Sequence, residues 1–323
     1  MKRIRIIALF LVVFLAALPL SSCAGSGADT PKIAVIAKAT TSDFWHAVRA
    51  GVEAAAIEYN ASVTFEGPEN EEDYEAQNRM IADAVERGVD VIVLSAIDYN
   101  QNAAAVKLAV QHGTKVITID SNVNSDLVSQ FIGTDNYEAG IAAAKAAVAS
   151  PTRDGAKIRI GLVNYMSDTA NGQKREEGFR DHIASVGDAE IVASVTAESN
   201  AESATAGAKE LLLAHPEINV LVGFNEWMTL GVGNAIHELG KGELVAGIGF
   251  DSNVISVGML ESGEMDALIV QNPFAIGYLG VRNAARLAVG DSVGDARIST
   301  AMTTVTKENM FDSDIQKILF RFT

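Results

Sequence analysis

The chain has 323 residues, of which 25 are Lys or Arg and 41 are Asp or Glu, for a formal charge of −16. So acidic a chain argues against a nucleic-acid partner, which requires a basic face, and against electrostatic adhesion to an anionic membrane. Its single cysteine excludes an intramolecular disulfide and a Cys-based zinc site, and six prolines without a low-complexity run argue against long disordered regions.

The chain begins with a targeting segment. Lys2, Arg3 and Arg5 precede an apolar run from Ile6 to Leu20, about 15 residues against the ~20 that a membrane-spanning helix needs. A basic start and a short apolar run are the marks of an export signal. Leu20-Ser21-Ser22-Cys23 resembles a bacterial lipobox, which implies a signal peptide over 1–22, cleavage before Cys23 and lipidation of its thiol. Residues 23–31 then form a lipidated tether. The mature protein is expected outside the cytoplasm, in the periplasm or on the outer face of the cell membrane, touching the membrane only through its lipid.

From Lys32 the chain alternates short β-branched runs with longer Ala-rich stretches of helical period. The runs are Ile33 to Ala37, Val89 to Leu94, Val116 to Ile119, Ile158 to Val163, Val220 to Val222, Leu244 to Gly249 and Leu268 to Val270. Successive apolar positions over so few residues suit strands buried on both faces of a parallel sheet. Between or after them, Phe44 to Tyr59, Tyr74 to Arg87, Asn102 to Gln111, Tyr137 to Ala149, Gly172 to Ser185, Ala201 to Ala214, Leu230 to Leu239, Val254 to Glu261 and Ala275 to Val289 read as amphipathic helices. Such alternation predicts a doubly wound α/β fold.

The order also repeats itself. Lys32 to Lys38 has a counterpart in Lys157 to Val163, Asp90 to Ser95 in Asn219 to Phe224, and Gly113 to Asp120 in Gly242 to Asp251, offset by about 125 to 131 residues. Two similar lobes are therefore expected. A long helix from Ala275 and a β-rich run over Ser299 to Val305 would overfill the second lobe and leave the first short. The expected division is 32–134 plus 272–302 for the N-terminal lobe and 135–271 plus 303–323 for the C-terminal lobe, joined by a three-crossing hinge that opens and closes.

Open parallel sheets bind ligands outside the carboxyl ends of their strands. The residues there are Lys38, Ser42, Phe44 and Trp45, then Asp98, Asp120, Asn164 and Asn171, and finally Asn225 beside Glu226, Asp251 and Gln271. Carboxylates and amides match hydroxyls that both donate and accept, and Phe44 and Trp45 can cover the apolar face of a sugar ring. Each has a plainer reading. Trp45 suits the core, Asp120 and Asp251 suit the N-caps of following helices, and Lys38 pairs either with an acid such as Asp120 or with a ligand.

In these residues the chain resembles the type I periplasmic sugar-binding proteins, the group that includes the ribose- and galactose-binding proteins. The matching motifs are Ser42-Asp43-Phe44-Trp45, Ile117-Thr118-Ile119-Asp120, Gly133-Thr134-Asp135-Asn136, Arg175-Glu176-Glu177-Gly178-Phe179, Asn225-Glu226-x-Met228, Gly249-Phe250-Asp251, and Gln271 with Pro273. The resemblance implies a monomer that captures a monosaccharide and passes it to an ABC permease, with no cofactor. It implies ligand contacts from Lys38, Ser42, Phe44, Trp45, Asp120, Gln173 or Arg175, Asn225, Asp251 and Gln271. Ser121 and Gln173 stand where ribose-type members carry arginines, and Lys38 where they carry a small polar residue. A furanosyl signal such as autoinducer-2, or a membrane receptor as the partner, are the alternatives that this pattern leaves open.

Other classes fit less well. The one Gly-x-Ser-x-Gly run, Gly290 to Gly294, follows the helix from Ala275 rather than a strand and so is no nucleophile elbow; there is no phosphate-binding Gly-x4-Gly-Lys loop, and Gly231-Val232-Gly233 is only half of a dinucleotide fingerprint. The five histidines, at 46, 112, 182, 215 and 237, fall at no metal-ligand spacing. A regulator of the same core fold would carry a basic helix-turn-helix domain where this chain carries a signal. The chain is therefore expected to bind without catalysing.

Overall fold

A computed structural model describes residues 30–150, 157–165 and 168–320. The signal peptide and Cys23 lie outside the described residues. β1 (Lys32–Ile36) shows why the strands form where they do. Ile33 and Val35 face one layer of helices while Ala34 and Ile36 face the other, so with both faces covered a side-chain period of two buries every position after Lys32.

In the first lobe β1 is followed by α1 (Asp43–Glu58), β2 (Ser62–Glu66), α2 (Tyr74–Glu86), β3 (Val91–Leu94), α3 (Ala103–Gln111), β4 (Lys115–Ile119) and β5 (Gln130–Thr134). In the second come α4 (Asn136–Ala149), β6 (Ile158–Tyr165), α5 (Ala170–Ala184), β7 (Ala189–Ala197), α6 (Ala201–Ala214), β8 (Val220–Gly223), α7 (Glu226–Glu238), β9 (Ala246–Phe250), α8 (Val254–Ser262) and β10 (Ala267–Val270). The described chain closes with α9 (Pro273–Ala288), β11 (Arg297–Thr300), β12 (Thr303–Thr306) and α10 (Ser313–Leu319).

Two six-stranded sheets result, ordered β11-β5-β4-β3-β1-β2 and β12-β10-β9-β8-β6-β7. The orders correspond strand for strand, as the internal repeat requires. The chain passes between sheets after β5, after β10 and between β11 and β12. β11 runs parallel to β5, but β12 runs antiparallel to β10. The reason is geometric. The two sheets point their carboxyl ends at each other, so a chain leaving one by that edge and entering the next within three residues must run against its strands.

Several expectations shift in detail. β2 and β7 are half-exposed edge strands whose polar residues hide the apolar run, and β5 is a short Gln-Phe-Ile-Gly-Thr sequence with the same effect. The run expected over Leu244 to Gly249 is displaced to Ala246–Phe250, leaving Leu244 on the surface. The β-rich run Ser299 to Val305 is two strands, one in each sheet. α7 starts at Glu226 rather than Leu230, because the Asn225 side chain accepts from the Met228 amide at 2.9 Å and caps the helix there.

Matching helix pairs hold the two lobes' cleft-facing elements. α1 packs on α9 through Gly51 and Gly277, and α4 on α5 through Gly140 and Gly178. A Cβ on Gly51 would lie 2.1 Å from the Phe274 carbonyl oxygen, and one on Gly140 would lie 2.0 Å from that of Arg175. Only glycine allows backbones so close. This contact sets where the N-terminal turns of α1 and α5, which carry Trp45 and Asn171, meet the cleft.

Candidate functional site

The site is built around the ends of β4 and β9. Asp120 and Asp251 directly follow these strands with φ of 56° and 65°, in the left-handed region that Asp tolerates better than most residues. Each donates its amide to the neighbouring strand at 3.0 Å, Asp120 to Ile132 and Asp251 to Ile269. Neither caps a helix: the element after Asp120 is β5, with Asp135 capping α4 beyond it, and Asn253 caps α8 after Asp251, which removes the N-cap reading for both. The turn instead leaves both carboxylates at the rim of a shared cavity.

On the N-terminal lobe Lys38 follows β1 and is buried. Its Nζ lies 3.4 Å from Asp120 Oδ2 and donates to Asn171 Oδ1 at 3.3 Å. Burial disfavours the ammonium, but the Asp120 carboxylate, with Tyr165 and Glu71, outweighs it and holds the amine above its ordinary range. Asp120 also accepts from Ser95 Oγ at 2.9 Å and from Asn171 Nδ2 at 3.1 and 3.2 Å. Trp45 is 1% exposed, with Nε1 donating to Glu71 Oε1 at 2.8 Å, and Phe44 packs edge-on against it at 5.1 Å. Core packing and cavity lining are thus both true of Trp45.

On the C-terminal lobe Arg175 is fully buried. Its Nε donates to Asn136 Oδ1 and its Nη1 to the Phe224 carbonyl, each at 2.8 Å, and the guanidinium lies 4.7 Å from the centre of the Phe250 ring. Neither Glu176 nor Asp168 pairs with it, because Glu176 is engaged by Arg180 and Asn164. Arg175 Nη2 has no hydrogen-bond partner. Gln271 donates through Nε2 to Asp251 Oδ1 at 2.7 Å, while its Oε1 is likewise unpartnered. Burial pushes the Asp251 carboxyl up, against the pull of Arg175. Burial also raises Glu226, whose Oε1 accepts from Asn253 and whose Oε2 accepts from the Phe44 amide at 3.2 Å across the lobes.

One cavity collects Lys38, Ser42, Phe44, Trp45, Asp120, Asn171, Arg175, Asn225, Asp251 and Gln271. Three sequence candidates are not in it. Gln173 is exposed on the outer face of α5, two residues and so more than half a turn from Asn171. Asp98 turns back to accept from the Asn100 and Gln101 amides, and Asn164 is held by Glu176. His46 points outward toward Asp43. The cavity also holds Glu226, expected beside Asn225, and adds Glu71, Tyr165 and Trp227. Tyr165 ends β6 and was findable by the strand-end rule. Glu71 follows β2, a strand that the sequence pattern conceals.

The lobes meet closely. Besides Asn171 on Asp120 and Phe44 on Glu226, the Tyr99 amide donates to the Asp168 carbonyl at 2.9 Å and the Ser199 amide to Glu72 Oε1 at 2.7 Å. The cavity between them has about 20 Å3, room for a single water by the usual measure.

Two facing α/β lobes, three crossings and a polar, aromatic-lined cavity at the strand ends define a two-lobed binding protein rather than an enzyme with a standing active site. Residues 33–292 match the periplasmic binding protein domain, and the chain belongs to that family, whose members are non-enzymatic substrate-binding components of transport systems. It is 26% identical to the D-ribose/D-allose-binding protein of Pseudomonas aeruginosa, over 90% of this chain and 94% of that one. Against the ribose import binding protein of Bacillus subtilis it is 28% identical, over 77% and 79%. Among solved structures, a carbohydrate transporter solute-binding protein from Agrobacterium radiobacter, in complex with D-arabinose, superposes with a TM-score of 0.87. Its identity to this chain is 29%, covering 91% of this chain and all of that one. A transporter solute-binding protein from Agrobacterium vitis with bound D-fucose gives a TM-score of 0.84 at 31% identity, covering 90% and 100%.

Proposed function

We propose that this protein is a lipid-anchored receptor outside the cytoplasm that captures a monosaccharide between its lobes and delivers it to an ABC permease. The observation that carries this reading is a donor and an acceptor left unpaired in one buried cavity, Arg175 Nη2 and Gln271 Oε1. A hydroxyl donates and accepts at once, so a polyol can match both, whereas leaving them unpaired costs roughly 1 to 3 kcal/mol each. Phe44, Trp45, Tyr165 and Trp227 supply apolar faces for ring C–H groups. The sugars named for the relatives support the same class of ligand.

In this reading Lys38, Ser42, Phe44, Trp45 and Asp120 hold the ligand from one lobe, and Asn171, Arg175, Asn225, Asp251 and Gln271 hold it from the other. A monosaccharide does not fit 20 Å3, so the lobes part to admit it. They then close because the ligand contacts both lobes only in the closed state. The moving bodies are 32–134 with 272–302 and 135–271 with 303–323. Cys23 supplies the anchor, and the closed form is what the permease receives.

A thermal-shift screen of the domain beginning after Cys23, against pentoses, hexoses, polyols, nucleosides and amino acids, tests this. Ligand at a hundred times its Kd stabilises by about 2.7 kcal/mol, a rise of roughly 4 °C in Tm for a chain of this size. A response confined to amino acids or nucleosides overturns the sugar assignment.

A further inference from the structure

On the hinge side of the cavity, beside the first crossing, lies a second pocket of about 290 Å3. Both lobes line it: Phe131 and Arg297 come from the N-terminal sheet, and Asn136 and Lys174 from the helices of the other lobe. Two residues, Asp120 and Asn171, line both this pocket and the cavity described above. They face each other across the lobes, with Asn171 Nδ2 donating to the two Asp120 oxygens at 3.1 and 3.2 Å.

We propose that the hinge-side pocket is a second subsite, which takes a neutral polyhydroxylated substituent on the captured sugar, with the Asp120–Asn171 pair as the partition between the subsites. The inference rests on the sugar reading above and extends it from a single ring to a glycoside or disaccharide. Size is the first argument. The pocket approaches the ~300 Å3 at which small-molecule sites begin, far more than the adjoining cavity offers.

Charge decides the class of substituent. The lining carries two cations, Lys174 and Arg297, and two carboxylates, Asp120 and Asp135, and the outer partners Glu177 on Lys174 and Lys38 on Asp120 leave that balance even, so neither an anionic nor a cationic group is favoured. A neutral hydroxyl, which donates and accepts, suits such a mixed lining. Arg297 is held with its guanidinium 4.6 Å from the Phe131 ring centre, which fixes a planar fork of donors of the kind that bridges neighbouring oxygens. Asn171 is the movable half of the partition, and a ligand that spans both spaces replaces the hydrogen bonds that it makes with Asp120, Lys38 and Tyr165.

Isothermal titration of the domain beginning after Cys23 tests the proposal. The probes are D-ribose, L-arabinose, D-glucose and D-galactose, their methyl glycosides, and the disaccharides maltose, cellobiose, lactose and melibiose. The expected result is that a glycoside or disaccharide binds at least as tightly as its parent ring. Arg297→Ala is then expected to weaken the extended ligand about fivefold or more while changing the monosaccharide less than twofold. Lys174→Ala, an exposed helical position, repeats the test should Arg297→Ala fold poorly. A monosaccharide that binds while every extended form is rejected overturns the second subsite and leaves the sugar reading standing, as does an extended ligand indifferent to both variants. Failure of every sugar, simple or extended, overturns both.

Discussion

Asp120 and Asp251 hold the same place in the two halves of the chain. Each follows the fourth strand of its lobe with a positive φ, 56° and 65°, and each bonds its amide to the next strand at 3.0 Å. Strained conformations repeated at both faces of one cleft are the kind that function retains. They also determine which substitutions are informative.

Asp251→Asn keeps the shape and the left-handed tolerance and removes only the charge. Sugar affinity is expected to fall tenfold or more, as loss of a charge-assisted hydrogen bond worth ~1.5 to 3 kcal/mol implies, with little change in Tm. Asp251→Ala is expected to lose the same affinity and also some stability, from placing alanine in the left-handed region. Titration calorimetry and melting of both variants check this, and unchanged affinity in a folded Asn variant removes Asp251 from the site.

Asn171 is the side chain that crosses the cleft to Asp120 and Lys38. Asn171→Ala is expected to favour separated lobes in sugar-free solution, seen as a larger radius of gyration by small-angle scattering. Identical scattering curves for the variant and the parent would show that the remaining contacts between lobes suffice.

The glycines at the helix crossings differ sharply in what they tolerate. Gly51→Ala and Gly140→Ala would force a methyl to within 2.1 and 2.0 Å of a carbonyl oxygen, so each is expected to cost about 1 to 3 kcal/mol. Gly258, on α8, has nothing within 4 Å of its Cβ position. Gly258→Ala is expected to stabilise by about 0.5 to 1 kcal/mol. Denaturant midpoints of the three variants separate the cases.

Burial raises the carboxyls of Asp251, Glu226 and Glu72 above their ordinary values. The closed fold therefore binds more protons than the unfolded chain just above the ordinary carboxylate range, and their contribution is lost as pH rises through the raised values. On the acid side, Glu190 and Asp314 are lowered by hydrogen bonds from Lys157 and Lys317, and that contribution is lost as pH falls. Tm is expected to be highest just above the ordinary carboxylate range and to decline as pH rises from there. Glu72→Gln is expected to flatten part of the decline while keeping an acceptor for the Ser199 amide; an unchanged slope would exclude Glu72 as a source.

Both tryptophans of the chain, Trp45 and Trp227, line the cavity. Intrinsic fluorescence therefore reports on the cavity, and a bound sugar is expected to change its intensity or emission maximum. Trp45→Phe is expected to reduce that change and weaken binding, because Nε1 no longer donates to the buried Glu71 carboxylate. Stopped-flow titration of parent and variant provides the comparison.

Much of the architecture was legible along the chain. Buried parallel strands are continuous apolar runs, so β1, β3, β4, β6 and β8 announce themselves, while β2, β5 and β7 carry too many polar or small residues to do so. The strand-end rule found ten of the residues that now line one cavity and failed for Asp98 and Asn164, while the family resemblance found Arg175 and failed for Gln173. For Gln173 the cause is helical phase, since two positions along α5 turn a side chain away from the cleft. For Asp98 and Asn164 it is local competition, since nearby amides and Glu176 claim them first.

Composition, strand periodicity and the internal repeat determined by themselves that the chain forms two similar α/β lobes, because these properties follow from neighbours close in sequence. Only the tertiary structure decided which polar groups face each other. Asn171 and Asp120 lie 51 residues apart, and Phe44 and Glu226 lie 182 apart. Such pairings exist only once two sheets point their strand ends at one another. No local pattern records that Lys38 and Asp120 neutralise each other while Arg175 and Gln271 keep an unpaired donor and acceptor, since that balance depends on contacts made across the whole fold.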